Sequence, residues 1–414
     1  MSLLQYAFNP PLSRLSLNYD QPKRVIFGSN SVEQAGPEAK RLGAGKVLIV
    51  TDLNVEKAGL ASRVQASIEK GGMKTEVYNK ISFEPTMDSM QNAVKFGRES
   101  PGVDVVVGVG GGSVVDTAKM VAGMLRNPGD PATYLSPVED RFIKGSAPKI
   151  LIPTTSGTGS EVSNMSVVIE KETMYKTWAA SSSLFADVAI IDPTLILSCP
   201  PRVTSGCALD VGGHDIEGLI SRESNPISDG YAMEAVKLLF RHVRRAYNNP
   251  DDLEARSGMA MAAMLGGMVI SYPWIGGPAI LGHCLAEAYG PKYGVAHGVA
   301  VGIALPYMLD FNLPACTEKV ASFAPSAGVQ RDGQSSREMA EKVPKAILQL
   351  MRDVELPTTL KQVNFPKSDL EPFAEYIAKE RQFMYNLQKY NPRRLTIENT
   401  TMLLHDMYDG ALED

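Results

Sequence analysis

Over residues 23–192 the chain alternates short β-branched runs with amphipathic stretches, and this alternation restricts its possible folds more than any other feature. Five runs predict strands: "KRVIFG", "KVLIVTD", "KTEVYN", "VDVVVGVG" and "KILIPTT". Between them lie segments with helical periodicity, such as "DSMQNAVKFGRESP" and "SVVDTAKMVAGMLRN". Such alternation is typical of a parallel, doubly wound, Rossmann-like α/β sheet.

The second half of the chain has a different pattern, because helical periodicity replaces the β-rich runs from about residue 199. The segment "SDGYAMEAVKLLFRHVRRAYNN" places apolar residues on one helical face. A chain of 414 residues is also too long for a single hydrophobic core. We therefore predict an α/β N-terminal domain over 1–198 and an all-α C-terminal domain over 199–414.

Charge and cysteine content exclude several classes of function. The formal net charge is −5, and the absence of a Lys/Arg-rich run argues against nucleic acid as a partner. The four cysteines form no CxxC pair, and the N-terminus lacks a secretory pattern, so we expect reduced thiols in a cytoplasmic protein. The uncharged segment 258–286 could span a bilayer by length, but "SYPWIGGP" interrupts it, which favours a buried core helix over a membrane span.

A glycine-rich turn is the first candidate binding site. "VDVVVGVGGGSVVDTAK" runs from an apolar strand through Gly110, Gly111 and Gly112 into a helix opened by Ser113. Glycine allows close approach of the backbone to a phosphate, and the helix N-terminus favours an anion. This predicts a site for the pyrophosphate of a dinucleotide, with a ligand-free strand–helix turn as the alternative. The glycines follow a later strand than in the usual fingerprint, so the loop is a variant of it.

Two further segments could complete a cofactor site. Asp52 ends "KVLIVTD" and is predicted to accept hydrogen bonds from ribose hydroxyls, although it could simply cap the strand end. A carboxylate there would repel a 2′-phosphate, which favours NAD over NADP. The segment "IPTTSGTGSEVS" is either a polar loop or a source of hydroxyl ligands, which would be Thr154, Thr155, Thr158 and Ser163.

A metal site is predicted in the second half. Asp210 and His214 are four residues apart and therefore share one helical face, and His283 and His297 follow later in the chain. One carboxylate with three imidazoles suits Fe²⁺ or Zn²⁺ better than Mg²⁺ or Ca²⁺. Structural histidines are the alternative interpretation of this spacing.

Together these motifs resemble the iron-containing (group III) alcohol dehydrogenase family, whose fold is shared with glycerol dehydrogenases and dehydroquinate synthases. The resemblance covers nearly the entire chain and rests on "GVGGGSVVDTAK", "IPTTSGTGSEVS", "IIDPTL", "ALPYMLDFN" and the two pairs of metal ligands. It implies a metal held by Asp210, His214, His283 and His297. It also implies NAD(P) on the glycine and threonine loops, Lys176 near the nicotinamide ribose, and a cleft between the two domains.

The chain departs from the family pattern at two places. Four residues after His283 the family usually has another histidine near the nicotinamide, whereas this chain has Glu287. A carboxylate can also pass protons, so Glu287 is our candidate catalytic residue; it could instead attract a polar or cationic substrate group. Upstream, "SYPWIGGPAILG" replaces a small-residue helix, and we expect Trp274 and its neighbours to line the substrate pocket.

The resemblance implies hydride transfer between a nicotinamide cofactor and a small alcohol, aldehyde or ketone, with a metal that polarises the substrate oxygen. A homodimer or larger homo-oligomer is expected. One alternative is a dehydroquinate synthase-like lyase, but it would need several basic side chains for a phosphorylated, carboxylated substrate, and residues 258–298 offer only Lys292. The other alternative is an inactive metal- and nucleotide-binding scaffold, which the complete ligand set argues against.

Overall fold

The structure is a computed structural model that describes residues 19–82, 84–136, 139–170, 173–271 and 281–413. The chain divides into two compact units. The α/β unit comprises Asp20–Pro200 and Pro250–Ala260, and the helical unit consists mainly of Pro201–Asn249 and Met261–Asp414. The stretch Pro250–Ala260 is anchored to the α/β unit by the buried Arg256, whose guanidinium donates to the carbonyl of Cys199 at 2.9 Å. Such long-range anchoring has no local sequence signal.

The described residues of the α/β unit form eight strands. They are β1 Val25–Phe27, β2 Lys46–Val50, β3 Lys74–Tyr78, β4 Val105–Gly110, β5 Lys149–Pro153, β6 Met165–Ile169, β7 Lys176–Ala180 and β8 Val188–Ile191. Six form a parallel sheet in the order β1-β8-β5-β4-β2-β3. Val107 of the central strand β4 is paired with Ile49 on one side and Ile150 on the other. All five predicted strands lie in this sheet, which confirms the doubly wound fold.

Helices connect these strands. They are α1 Ala35–Arg41, α2 Leu53–Lys57, α3 Leu60–Lys70, α4 Met87–Glu99 and α5 Gly112–Met124. Helices α4 and α5 correspond to the two segments predicted from helical periodicity. Helix α5 is buried from Val114 to its last residue, so it is a core helix that begins directly beyond the end of β4.

The antiparallel hairpin β6–β7 and the strand β8 are not among the predicted strands. In the hairpin Val167 is paired with Trp178, and β7 begins at Lys176. Each strand contains only a short apolar run, and "KTWAA" has no clear alternation. Pairing between the two strands, rather than local propensity, therefore stabilises this element.

The helical unit confirms the predicted change to helical structure. Its helices are α6 Pro201–Ile220, α7 Pro226–Asn248, α8 Leu253–Ile270, α9 Leu281–Tyr293, α10 His297–Phe323, α11 Ser336–Asp353, α12 Leu370–Tyr376, α13 Gln382–Met384, α14 Leu387–Tyr390 and α15 Ile397–Asp409. The first turns of α8 belong to the α/β unit. A π-helical turn, Ile377–Arg381, joins α12 to α13. Helix α7 begins at a capping box in which Asn225 and Ser228 bind each other's backbone, with Pro226 at its first position.

The segment 258–286 begins within α8, as expected for a core helix, and ends within α9. The intervening "YPWIGGPAI", with Trp274, lies outside the described residues. By length and composition the residues His297–Ala327 could cross a bilayer, but 78% of their apolar window is buried within the protein. Such burial is typical of a core helix.

Candidate metal centre and cofactor loops

The four predicted metal ligands converge in the helical unit. Helix α6 carries Asp210 and His214, α9 carries His283, and His297 is the first residue of α10. The Oδ1 atom of Asp210 lies 3.7, 3.6 and 3.3 Å from the Nε2 atoms of His214, His283 and His297. The ligand atoms of Asp210, His283 and His297 all lie within 4.8 Å of one another. His214 stacks on His283 with ring centroids 4.8 Å apart.

The cluster fits a divalent cation. Asp210 Oδ1 and His283 Nε2 are buried and have no hydrogen-bond partner among the described residues. A buried polar atom left unpaired costs about 1–3 kcal/mol, so these atoms need a partner that the described protein atoms do not provide. The oxygen of Asp210 and the imidazole nitrogens of His283 and His297, with His214 Nε2 3.7 Å from the same oxygen, form a donor set suited to Fe²⁺ or Zn²⁺.

The electrostatics of the cluster also favour a cation. Burial alone would raise the pKa of Asp210, but His214 and His297 lower it well below its ordinary value. Burial lowers the pKa of His214 to about 3, which keeps this imidazole neutral and able to act as a ligand. Burial would also lower the pKa of His283, but the carboxylate of Glu217, together with Asp210, raises it to about 10. The carboxylates that raise the pKa of His283 stabilise a positive charge at this imidazole. A metal ion bound to Nε2 can supply that positive charge in place of a proton.

Glu217 is a functional residue that our sequence analysis missed. Its carboxylate accepts a hydrogen bond from the backbone N–H of His283 at 3.1 Å and lies 2.8 Å from His283 Nδ1. We infer that Nδ1 carries the proton, which leaves the Nε2 lone pair directed to the other ligands. The signal in the sequence is the helical spacing: Glu217 lies seven residues after Asp210 and three after His214, on the same face.

We expect Glu217→Gln to weaken metal binding by about 10–100-fold, because the outer-sphere carboxylate orients His283 and raises its basicity. Metal affinity measured by competition with a chromogenic chelator would test this. Glu234→Gln, at an exposed position of α7, is the matched control and should bind metal as the unmodified protein does. Equal affinities in the two variants would contradict the role given to Glu217.

Close helix contacts hold the ligands in place. A Cβ atom on Gly298 would lie 2.0 Å from the carbonyl oxygen of Gly206, so α10 crosses α6 with backbone against backbone directly beside His297. A Cβ atom on Gly213 would lie 2.8 Å from the ring of His283. Glycine at these two positions therefore allows the ligand-bearing helices to approach each other.

The glycine loop lies in the α/β unit where β4 ends and α5 begins. Gly111 is the N-cap of α5, so Gly112 and Ser113 are the first two residues of the helix, at the positive end of its dipole. The loop packs on the threonine segment: Thr154 N–H donates to Gly110 at 2.9 Å, and a Cβ atom on Gly112 would lie 2.6 Å from Thr158. A Cβ position on Gly111 would be 3.6 Å from Thr155.

Ser163, which the sequence analysis predicts as a possible hydroxyl ligand of the cofactor, lies beside a buried lysine. It is buried, and its carbonyl and hydroxyl lie 3.3 and 3.2 Å from the ammonium of Lys119. Lys119 is itself fully buried and lies 3.1 Å from Asp116, which accepts a hydrogen bond from Ser160. This network fixes the end of the threonine segment, and Lys119 and Asp116 are residues that the sequence analysis did not single out.

The remaining candidate residues have identifiable partners. Asp52 is the N-cap of α2, where its Oδ1 accepts from the backbone N–H groups of Asn54 and Val55 at 2.7 and 3.0 Å. Lys176 is buried at the start of β7, with its ammonium 3.2 Å from Glu84. Glu287 is buried on α9, and the hydroxyl of Tyr385 donates to it. The cofactor and catalytic roles of these three residues remain predictions.

Two family models match the chain. One, described as iron-containing alcohol dehydrogenase, matches residues 22–193. The other, described as the Fe-containing alcohol dehydrogenase family C-terminal domain, matches residues 204–408. The chain belongs to the iron-containing alcohol dehydrogenase family. This confirms the resemblance that the sequence motifs indicated.

Individual members of the family are similar over almost their full length. Long-chain-alcohol dehydrogenase 1 of Geobacillus thermodenitrificans (strain NG80-2) is 34% identical over 385 residues, which cover 93% of this chain and 92% of that protein. A solved 1,3-propanediol oxidoreductase has a TM-score of 0.87 at 28% identity, covering 95% of this chain and 100% of its own. A sulfoacetaldehyde reductase from Bifidobacterium kashiwanohense in complex with NAD⁺ has a TM-score of 0.82 at 26% identity, covering 97% and 100%.

Family membership establishes the general reaction. The protein is a metal-dependent oxidoreductase that transfers a hydride between a nicotinamide cofactor and a small alcohol, aldehyde or ketone. The fold is the predicted Rossmann-like domain followed by an all-α domain. The lyase and scaffold alternatives are not favoured by these relatives.

Proposed function

We propose that the protein is an NAD-dependent, iron-containing alcohol dehydrogenase that also works in reverse as an aldehyde reductase. The observation that carries this proposal is the convergence of Asp210 with the Nε2 atoms of His214, His283 and His297. Fe²⁺ is proposed on the basis of the family, and the same donors suit Zn²⁺. When bound, the ion supplies a Lewis acid that polarises an alcohol or carbonyl oxygen.

The chain's own residues perform the other tasks. Glu217 holds the Nδ1 proton of His283 and keeps Nε2 directed towards the other ligands. The N–H groups at the start of α5 bind the pyrophosphate of the cofactor, and hydroxyls of the threonine segment bind its polar groups. When bound, the nicotinamide would accept at C4 the hydride of the carbinol carbon in the oxidative direction, and the hydroxyl proton would be released to water.

The experiment that tests this proposal is NADH oxidation with a panel of small aldehydes, using protein loaded with Fe²⁺ and the same protein after chelator treatment. We expect turnover with several aldehydes that is lost after chelation and returns with Fe²⁺. No NADH oxidation with any aldehyde would contradict the proposal. Turnover of a phosphorylated, carboxylated substrate without net NADH oxidation would favour the lyase class instead.

Cofactor choice is a separate prediction. If Asp52 meets the ribose hydroxyls, NADH should be preferred to NADPH, and Asp52→Ser should narrow the preference because it removes the charge that repels a 2′-phosphate. Serine is a good N-cap, so this variant retains the cap of α2. The measurement is the ratio of kcat/KM for the two cofactors. Equal use of both by the unmodified protein would leave Asp52 with a capping role alone.

We also propose a cytoplasmic location and assembly into a homodimer or larger homo-oligomer. The four cysteines form no disulfide, and three of them, Cys199, Cys284 and Cys316, are buried, which is compatible with a reducing compartment. Size-exclusion chromatography with light scattering would test the assembly state.

A further inference from the structure

The departure at Glu287 creates a buried charge pair near the metal ligands. Glu287 lies four residues after His283 on α9, so the two side chains share one face of the helix, one turn apart. Glu287 is only 2% exposed, and its charge therefore requires a nearby partner.

Arg381 and Tyr385 provide that partner. The guanidinium Nη2 of Arg381 lies 3.9 Å from Glu287 Oε2, and both side chains are 3% exposed. The same nitrogen donates to the hydroxyl of Tyr385 at 3.1 Å, and that hydroxyl donates to Glu287. The guanidinium also lies over the Tyr385 ring, 4.9 Å from its centroid. The three side chains thus form one buried Arg–Tyr–Glu network.

The backbone that presents Arg381 is unusual. Arg381 is the last residue of the π-helical turn Ile377–Arg381, which separates α12 from α13. Such turns add a residue to a helix and are frequent at functional sites. Its neighbour Glu380 is exposed, so the turn directs one charged side chain into the protein and the next one to solvent.

The other carboxylates beside the metal cluster, those of Asp210, Asp215 and Glu217, lie on α6 and not on α9. Asp210 faces the histidines, and Glu217 is engaged by His283 on the α9 side of α6. Asp215 packs on the α8 side, where a Cβ atom on Gly266 would lie 3.0 Å from its Oδ2. The segment 272–280, "YPWIGGPAI", contains no Asp, Glu, Lys, Arg or His. Among the described residues, Glu287 and Arg381 form a buried pair of opposite charges on this face of α9.

We infer that Arg381 neutralises Glu287 and thereby makes the enzyme selective for uncharged alcohols and aldehydes over anionic and cationic ones. This inference rests on the proposed function, because it concerns the substrate of that site. A charged substrate group would have to compete for a partner that is already paired, or lose its hydration without a counterion. Removing Arg381 leaves a carboxylate that attracts cations, and removing the charge of Glu287 leaves a guanidinium that attracts anions.

The test compares three alcohols, namely 1-propanol, isethionate and choline, with Fe²⁺-loaded full-length protein. The readouts are kcat/KM for NAD⁺ reduction and the dissociation constant of each alcohol from the NAD⁺-saturated protein by calorimetry. We expect the unmodified protein to prefer 1-propanol. Arg381→Met should raise the choline-to-propanol ratio by about 10–100-fold, and Glu287→Gln should raise the isethionate-to-propanol ratio similarly.

The double variant Glu287→Gln/Arg381→Met is the decisive control, since it should return the preference to 1-propanol. Its melting temperature should also recover most of the several degrees lost by Arg381→Met, because neither charge remains buried alone. Glu380→Gln, next to Arg381 but exposed, should alter no ratio.

A preference of the unmodified protein for isethionate or choline would overturn the inference, and so would single variants that weaken all three alcohols equally. The binding measurement keeps it separate from the proposed function. If the expected binding ratios appear but NAD⁺ is not reduced with any alcohol, the proposed function fails and the charge selectivity stands.

Discussion

His283→Ala is expected to lose most of its bound divalent ion and nearly all activity, with turnover falling at least about 10³-fold. Only three ligands would remain, and the carboxylate of Glu217 would lose the imidazole that it orients. Metal content after gel filtration and steady-state NADH oxidation would measure the two effects. His297→Ala should behave in the same way, because its Nε2 is the imidazole nitrogen nearest to Asp210 Oδ1.

His405→Ala is the matched control for these variants. This histidine is on helix α15, its Nε2 lies 2.9 Å from Oε1 of Glu371 on α12, and it is not part of the metal cluster. It should retain both metal and turnover. Retention of metal and near-normal rates in His283→Ala and His297→Ala as well would show that the cluster is not the metal site.

Gly298→Ala is expected to have the second large effect, although it touches no ligand atom. Its Cβ would lie 2.0 Å from the carbonyl oxygen of Gly206, and a backbone atom cannot rotate away as a side chain can. Helices α6 and α10 would have to separate beside His297, which moves this ligand from Asp210. We expect metal affinity to fall by at least about 10-fold and stability by about 1–3 kcal/mol.

Gly230→Ala provides the control for that prediction. It is also a helix-interior glycine of the helical unit, on α7, but a Cβ there would meet no atom within 4 Å. Alanine should leave metal affinity unchanged and stabilise the helix by about 0.5–1 kcal/mol. Metal affinity by chelator competition and stability by thermal unfolding would be measured for Gly298→Ala and Gly230→Ala. The comparison distinguishes loss of the close contact between α6 and α10 from a general effect of adding a methyl group. Equal metal affinities in both would contradict the positioning role of Gly298.

Local periodicity accounts for most of the fold that the sequence predicted. The central parallel strands β2, β4, β5 and β8 are apolar runs buried on both faces, whereas the edge strands β1 and β3 are only partly buried. Helices α4 and α5 follow from helical spacing alone. The hairpin β6–β7 escaped prediction because its strands are stabilised by each other and not by their own pattern. The same is true of the stretch anchored by Arg256, whose partner Cys199 lies 57 residues away in sequence.

The candidate site was predictable to the extent that its residues share a helix. The spacing of Asp210 and His214 predicts one face of α6, and an extension of that argument by one turn would have found Glu217. Arg381 and Tyr385 could not be found in this way, since Tyr385 and its partner Glu287 are 98 residues apart. Tertiary packing brings them together, and no local periodicity encodes it.

We propose that one metal ion at the cluster of Asp210, His214, His283 and His297 enables NAD-dependent turnover. Titration of metal-free protein with Fe²⁺ under anaerobic conditions, with bound iron and NADH oxidation measured at each addition, tests it most directly. We predict that activity rises in proportion to bound iron and reaches its maximum at one ion per chain. Full activity without metal, or iron bound at one ion per chain with no gain in NADH oxidation, would contradict the claim.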